Sequence, residues 1–298
     1  DENGDSLSDV ATLDTMVTVV DAVNFLKDYD EAQYLQDSGQ ALGEDDERSV
    51  ADLLIDQVEF ADVILVSKVD LVTPLEMKRL KAVLQALNTR ARIIPISNGQ
   101  VPIKEVLNTG LFDFDEAQQA PGWLKELRGQ HVPETEEYGI SSFVYRARRP
   151  FHPERFMAAL RTAWPGVLRS KGFFWLATRM DWAGSYSQAG GACRTEGAGS
   201  WWCAVDKSEW PDDQEQCEEI VKLWEKPWGD RRQEIVVIGQ SMDSDAITMK
   251  FDGCLLTDDE MAMGPEAWMT HFKDPFFEWQ VAMEEDAPTE EEKTMIQH

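Results

Sequence analysis

The chain has 298 residues, enough for two ordinary domains that each bury a hydrophobic core. Hydrophobic residues make up 43% and aromatic residues 10% of the composition, which excludes an acidic disordered chain. The 28 Lys and Arg residues stand against 56 Asp and Glu, and the resulting net charge of −28 argues against nucleic acid or an anionic membrane as a partner.

The four cysteines, at positions 193, 203, 217 and 254, show no C-x-x-C spacing and no nearby second metal ligand. We expect core or surface thiols, and no metal site in this chain. The sequence shows neither a signal peptide nor an apolar run of membrane-spanning length, a pattern that predicts a cytoplasmic protein without a membrane partner.

The first part of the chain, residues 16–110, alternates short apolar runs with helical patterns. This order is typical of parallel strands joined by crossover helices. Strands are predicted at 16–20, 63–66 and 92–96, and helices at 50–58, 73–87 and 103–108. Thr73 and Glu76 predict a capping box, and Gly110 a helix end. The sequence predicts part of a doubly wound α/β sheet.

A change of composition divides the chain. Residues 129–138 show no apolar periodicity and are predicted to be a linker, and ten of the eleven tryptophans follow it. We therefore expect three parts. They are a first domain at 1–135, a second at 136–280, and an acidic tail at 281–298.

The second half predicts an α+β domain. Strands are predicted at 140–145, 167–177, 201–205 and 234–238. Helices are predicted from Pro153, at 212–224, and around Ile247 to Leu255, and a Gly- and Ser-rich loop at 184–200. The order β-α-β-β-α-β is that of a ferredoxin-like unit.

The segment VILVSKVDL, residues 63–71, ends a predicted strand with Ser67, Lys68 and Asp70. Ligands bind at the carboxyl ends of strands in open parallel sheets. Lys-x-Asp at this place resembles the Asn-Lys-x-Asp element by which GTPases recognise guanine. The residue types suit that role, because a carboxylate at Asp70 can accept hydrogen bonds from guanine N1–H and the 2-amino group, and adenine offers neither donor there. The stem of Lys68 can cover the ring face. The simpler alternative is a solvent-exposed Lys and Asp.

A second group of candidate residues follows the next predicted strand. Ser97 and Asn98 precede Gly99 one crossover unit later, so they are expected at the same edge of the sheet. Backbone N–H groups in such a loop can donate to guanine O6. The alternative here is an ordinary turn.

Five segments carry a family resemblance: VVDA from residue 19, QVEFADVILVSKVDL from 57, RRPFHPERF from 148, LRSKGFFWLATR from 168, and GDRRQEIVVIGQ from 229. They resemble CobW-type GTPases, in particular the branch described as zinc-responsive metallochaperones. The resemblance implies a P-loop GTPase-like domain followed by a CobW C-terminal domain. It also implies binding of GTP or GDP, with Mg²⁺ and zinc in the full-length family member.

The chain departs from that family in two respects. It contains neither a G-x-x-x-x-G-K-[ST] loop nor a Cys-x-Cys-Cys motif, and Ser67 stands where the family has Asn. We therefore expect the C-terminal two-thirds of a longer GTPase, with its N-terminal part missing and no hydrolysis by this chain alone. Loss of a central strand also predicts self-association through an exposed sheet edge.

The resulting functional hypothesis is a part of a GTP-dependent metal chaperone, which delivers metal, zinc in this branch, to a metalloprotein client. This chain would supply guanine recognition and the client-facing domain. The alternative is a nucleotide-independent protein-interaction module with a tryptophan-rich surface. Arg169 and Lys171 are expected in structural ion pairs, and His152 in helix capping and packing.

Overall fold

The computed structural model describes residues 12–27, 50–113, 139–189, 192–211 and 213–279. Its first sheet has three parallel strands in the order β1-β2-β3, and two helices accompany them. The strands are β1 (Val17–Asp21), β2 (Val63–Ser67) and β3 (Arg92–Pro95). The helices are α1 (Val50–Glu59) and α2 (Pro74–Leu87).

Burial explains the placement of β2 in the middle of this sheet. Its four apolar residues, from Val63 to Val66, are all buried, as expected for a strand covered on both faces. The adjoining helix α2 begins as predicted. The Thr73 hydroxyl accepts from the N–H of Glu76, whose carboxylate accepts from the N–H of Thr73. The predicted parallel strands and the capped helix are therefore confirmed.

The helix predicted at 103–108 is wrong. Only a 3-10 turn forms there, at Ile103–Glu105. The chain then turns back, because the Asp14 carboxylate accepts from the backbone N–H groups of Thr109 and Gly110. These contacts to a distant residue replace the continued helix.

The second sheet has five antiparallel strands in the order β4-β8-β5-β6-β7. They are β4 (Ile140–Ala147), β5 (Val167–Phe174), β6 (Trp182–Ala189), β7 (Ala192–Ser200) and β8 (Gln233–Gln240). The helices are α3 (Pro153–Leu160), α4 (Gln214–Lys222), α5 (Ser244–Asp252), α6 (Asp258–Met263) and α7 (Pro265–His271).

The Gly- and Ser-rich loop predicted at 184–200 is wrong, because β6 and β7 occupy it. The strand predicted at 201–205 is also wrong, since a 3-10 turn forms at Trp202–Ala204. Gly184 is required inside β6, because a Cβ there would overlap the ring of Phe174 on the neighbouring strand. Gly184 allows close packing inside a strand, but glycine is also a typical loop residue, and the loop prediction is wrong for that reason.

The overall class agrees with the prediction: a parallel α/β sheet, followed by an α+β domain. The strand β7 extends the predicted second sheet. The boundary predicted near residue 135 and the acidic tail at 281–298 lie outside the described residues.

Buried charges join the two sheets. Arg169 of β5 donates to both oxygens of Glu59 at the end of α1, at 2.8 and 3.2 Å. The Lys171 ammonium lies 3.6 Å from the same carboxylate. The side chains of Arg169 and Glu59 are 3% and 5% exposed. The structural ion pairs predicted for these two basic residues are confirmed.

His152 packs as predicted but caps nothing. It occupies the N-cap position of α3 without a side-chain hydrogen bond, and its ring lies 4.4 Å from that of Phe272. Burial and the charge of Arg155 hold the pKa of His152 below its ordinary value. The capping prediction for its side chain is wrong.

None of the helices in the described ranges is long and apolar enough to cross a membrane.

Candidate functional site

The carboxyl edge of the parallel sheet brings three chain segments together. In the register of β1 and β2, Asp21 lies opposite Ser67, so both strands end at the same level. The N–H of Ile96 donates to the carbonyl of Val66, which carries the chain after β3 to the same edge. Two of the predicted groups, residues 67–70 and 97–98, therefore leave neighbouring strands side by side.

Lys68 has an uncommon backbone conformation for a residue with a side chain. Its φ and ψ are 58° and 30°, in the left-handed region. Its ammonium lies 2.6 Å from Oδ2 of Asp21, and half of the side chain is exposed. Strained backbone of this kind is concentrated at functional sites.

Asp21 is a site residue that the sequence interpretation did not assign. Its carboxylate accepts from Lys68, from the backbone N–H groups of Val23 and Asn24, and from the Asn24 amide. Partial burial alone would raise the pKa of Asp21, but these hydrogen bonds outweigh it and hold the pKa below its usual value. The signal was available: β1 ends in Asp21, and parallel strands share their carboxyl edge.

The carboxylate of Asp70 points to no protein partner. Asp70 is exposed in the 3-10 turn Val69–Leu71, and across the described residues its side chain has neither a hydrogen bond nor an ion pair. No distant arginine holds it within those ranges. The geometry leaves its oxygens available to accept from a ligand.

The loop after β3 forms a tight turn with two positive φ angles, 53° at Asn98 and 71° at Gly99. The N–H of Gln100 donates to the carbonyl of Ser97 at 3.1 Å. In this part of the chain, the backbone N–H groups of Ser97 and Asn98 have no protein acceptor among the described residues. They can therefore donate to a carbonyl oxygen of a ligand.

Ser67 connects the middle segment of the site to the segment that follows β1. Its hydroxyl donates to the carbonyl of Val20 at 3.1 Å, across from β2 to β1. The hydroxyl thus links the start of the Lys68 loop to β1 through a single hydrogen bond. The nucleotide-binding role predicted for Ser67 stays a prediction.

The described part of the chain also has a cavity that lies away from these loops. This cavity of about 330 Å³ is lined mainly by the exposed side of β1 and by the end of α1. Its lining residues are Met16, Val17, Thr18, Val19, Gln57 and Phe60. It shares no residue with the candidate guanine-binding loops.

No three His, Cys, Asp or Glu side chains within the described ranges come together in a group that could hold a metal ion.

Comparison with known protein families matches both halves of the chain. The family described as "CobW/HypB/UreG, nucleotide-binding domain" matches residues 2–95, and "Cobalamin synthesis protein cobW C-terminal domain" matches residues 140–255. The chain belongs to the CobW family. Its first match includes β1, β2 and β3, the strands that carry the candidate site.

Two curated relatives share most of this chain. "Zinc-regulated GTPase metalloprotein activator 1" of Dictyostelium discoideum is 46% identical over 270 residues, which are 89% of this chain and 57% of that protein. "Zinc chaperone Rv0106" of Mycobacterium tuberculosis is 33% identical over 268 residues, 89% of this chain and 61% of that protein. The CobW chain described here thus spans about three-fifths of these relatives.

Among solved structures, that of the Zn(II)-bound YjiA GTPase from E. coli aligns with a TM-score of 0.34 and 19% identity. The alignment covers 82% of this chain and 62% of that one. At this score the two backbones overlap too poorly to transfer the position of any site.

Proposed function

We propose that this chain is the guanine-recognising and client-facing part of a GTP-dependent zinc chaperone in the cytoplasm. The printed names of its relatives, a zinc-regulated GTPase metalloprotein activator and a zinc chaperone, support a metal-delivery role. The proposal assigns guanine recognition to this chain and phosphate binding to no residue of it. GTP or GDP is the proposed ligand, zinc the cargo and a metalloprotein the client.

One observation supports this proposal most directly: hydrogen-bond acceptors and donors without protein partners in the described ranges lie at one edge of the sheet. Asp70 presents a carboxylate without a protein partner in the described ranges, and Ser97 and Asn98 present free N–H groups there. Guanine needs an acceptor for N1–H and the 2-amino group, and a donor for O6. Adenine reverses this pattern at the six-position, so the arrangement selects guanine.

Titration of residues 1–298 with fluorescently labelled GDP tests the proposal. We expect saturable binding, and labelled ADP should bind at least about fivefold more weakly, because an acceptor that the bound base leaves unpaired costs about 1–3 kcal/mol. Replacing Asp70→Asn should weaken GDP binding by a similar factor. The Asn amide can instead donate to a carbonyl at C2, so labelled xanthosine diphosphate should gain relative to GDP.

Asp245→Asn is the matched control, since Asp245 is an exposed carboxylate in the first turn of α5 on the other domain. It should leave both affinities unchanged. Equal binding of GDP and ADP, or an Asp70→Asn chain that keeps the wild-type preference, would refute guanine selection by this edge.

A nucleotide-independent interaction module is the second candidate, and a partly exposed aromatic surface favours it. The rings of Trp202, Trp210 and Trp224 follow one another at centroid distances of 6.2 and 5.9 Å. Val221 and Trp224 are 59% and 40% exposed beside them. If the GDP titration shows no saturable binding, this surface becomes the better-supported functional feature.

We further propose that the chain self-associates through β1. In the described sheet β1 is an edge strand, and Val19 on it is 62% exposed. Such an edge offers unpaired backbone groups and apolar side chains to another copy. Light scattering after size exclusion should give a mass that rises with concentration, and Val19→Lys should lower it.

Val221→Lys is the control for this prediction, because it removes an equally exposed apolar side chain far from the edge. A wild-type chain that stays monomeric at all concentrations and melts cooperatively at high temperature would contradict association through β1.

A further inference from the structure

We propose that Asp21 is a positioning residue for guanine recognition: its carboxylate holds Lys68 so that the lysine stem lies along one face of the base. This inference rests on the proposed function, because it names a further residue of the same pocket. Asp21 lies 47 residues before Lys68 in the chain, and only the pairing of β1 with β2 brings them together.

Strand register sets the reach of this contact. Asp21 is the last residue of β1 and lies opposite Ser67, the last residue of β2. The residue after Ser67 therefore passes directly beside the Asp21 carboxylate. The ammonium of Lys68 lies 2.6 Å from Oδ2, and its side chain has no other partner in the described ranges.

The two partners differ in rigidity. Asp21 is fixed by its own turn: Oδ1 accepts from the N–H of Val23 at 2.9 Å and from that of Asn24 at 3.3 Å, and Oδ2 accepts from the Asn24 amide at 2.9 Å. Lys68 has a long side chain that is half exposed and loses many rotamers when it is held. The ordered carboxylate therefore orients the lysine, and the lysine does not orient the carboxylate.

The charge pairing also decides which part of Lys68 meets the nucleotide. Because the ammonium is paired with Asp21, the methylene stem is the part left to cover an aromatic ring. The backbone at Lys68 is left-handed, with φ 58°. This conformation sets the direction in which the stem leaves the strand end, and Asp70 follows two residues later in the same loop. The pair thus preorganises one wall of the base pocket before the ligand arrives.

Asp21→Asn separates this role from the turn that Asp21 caps. The Asn side chain keeps an oxygen that accepts from the N–H groups of Val23 and Asn24. It loses the charge that holds Lys68 and the Oδ2 acceptor of the Asn24 amide. In the full chain we expect labelled GDP to bind about fivefold more weakly, the upper range for a partly exposed ion pair. Acylation of the Lys68 amine, measured by mass spectrometry, should speed up relative to exposed Lys78.

A double-substitution cycle tests whether Asp21 acts through Lys68 or only supports the fold. Lys68→Met keeps an unbranched apolar stem without the ammonium, and it should also lose about fivefold in GDP affinity. Combining it with Asp21→Asn should cost nothing further, because both changes remove one interaction. Asp21→Glu, which keeps the charge, should recover part of the affinity.

The outcomes distinguish this inference from the proposed function. A wild-type chain that binds no GDP refutes the proposed function and this role with it. Wild-type binding with an unchanged affinity in Asp21→Asn, or losses that add in the double variant, overturns the role of Asp21 alone and leaves guanine recognition by Asp70 standing.

Discussion

Replacing Arg169 with alanine should lower the free energy of unfolding by about 3 kcal/mol, because a buried carboxylate loses both hydrogen bonds to the guanidinium and keeps only Lys171 beside it. Arg169 contacts Glu59 through two hydrogen bonds, and both side chains are almost wholly buried. Arg169 also donates to the hydroxyl of Ser187 at 3.0 Å. Chemical denaturation followed by tryptophan fluorescence and far-ultraviolet circular dichroism measures the loss.

Glu59→Gln should cost at least as much, since two cations lose the same carboxylate. Burial lowers the pKa of the Lys171 ammonium, and the charge of Glu59 opposes that shift. Without Glu59, a charged Lys171 becomes more costly to bury beside Arg169.

Lys104→Ala is the matched control for both changes. Lys104 is 81% exposed and lies 3.9 Å from Glu105, and such surface pairs contribute no more than about 1 kcal/mol. A loss of similar size in all three variants would show that the burial of the Arg169 pair does not increase its contribution to the free energy of unfolding.

The ion pair joins α1 to the second sheet, so its loss should also separate the unfolding of the two halves.

Replacing Asn88 with alanine should destabilise the chain by about 3 kcal/mol or more, because several buried backbone groups lose their partner at once. The Asn88 amide donates to the carbonyls of Val58, Glu59 and Ala61 at 2.8 to 3.1 Å. Its oxygen accepts from the N–H groups of residues 90 and 91. Asn88 is 5% exposed, so water does not replace these bonds easily.

Asn88→Asp is an informative second variant, because it replaces only the NH2 group that donates hydrogen bonds. The carboxylate would keep both accepted bonds but face three carbonyl oxygens, which should raise its pKa in the folded state. A group with a raised folded pKa binds its proton more tightly when folded. The variant should therefore regain stability relative to wild type as the pH falls from 7 toward 4, and should lose it again as the pH rises.

Thermal and denaturant unfolding at pH 7 and pH 4 would measure this effect. A variant whose deficit relative to wild type is the same at both pH values would contradict the assignment of Asn88 as a buried donor. The turn from Val58 to Asp62 leads into β2, so the loss should also loosen the strand that ends at the guanine loop.

Much of the first domain follows from residue patterns close together in the chain. A run of four buried apolar residues in β2 and a Thr73 to Glu76 capping box need no distant partner, and both agree with the structure. The candidate residues Ser67, Lys68 and Asp70 follow in the same way from a strand end before a capped helix. Their role in nucleotide binding stays a prediction.

Features that depend on distant residues were not accessible to such patterns. Gly184 was interpreted as a loop residue because its packing partner, the ring of Phe174, belongs to the neighbouring strand. The short turn at 103–105 replaces a predicted helix because Asp14 holds the backbone nearly a hundred residues later in the chain.

The ion pair and the site residue show the same division. The identity of Glu59 as the partner of Arg169, 110 residues away, follows from the approach of α1 to the second sheet. The contact of Asp21 with Lys68 follows from the register of two parallel strands. Periodicity and capping are encoded within a few residues, and they specified the elements. Which elements pair depends on the relative free energies of many arrangements of the whole chain, so the pairing is seen only in the folded protein.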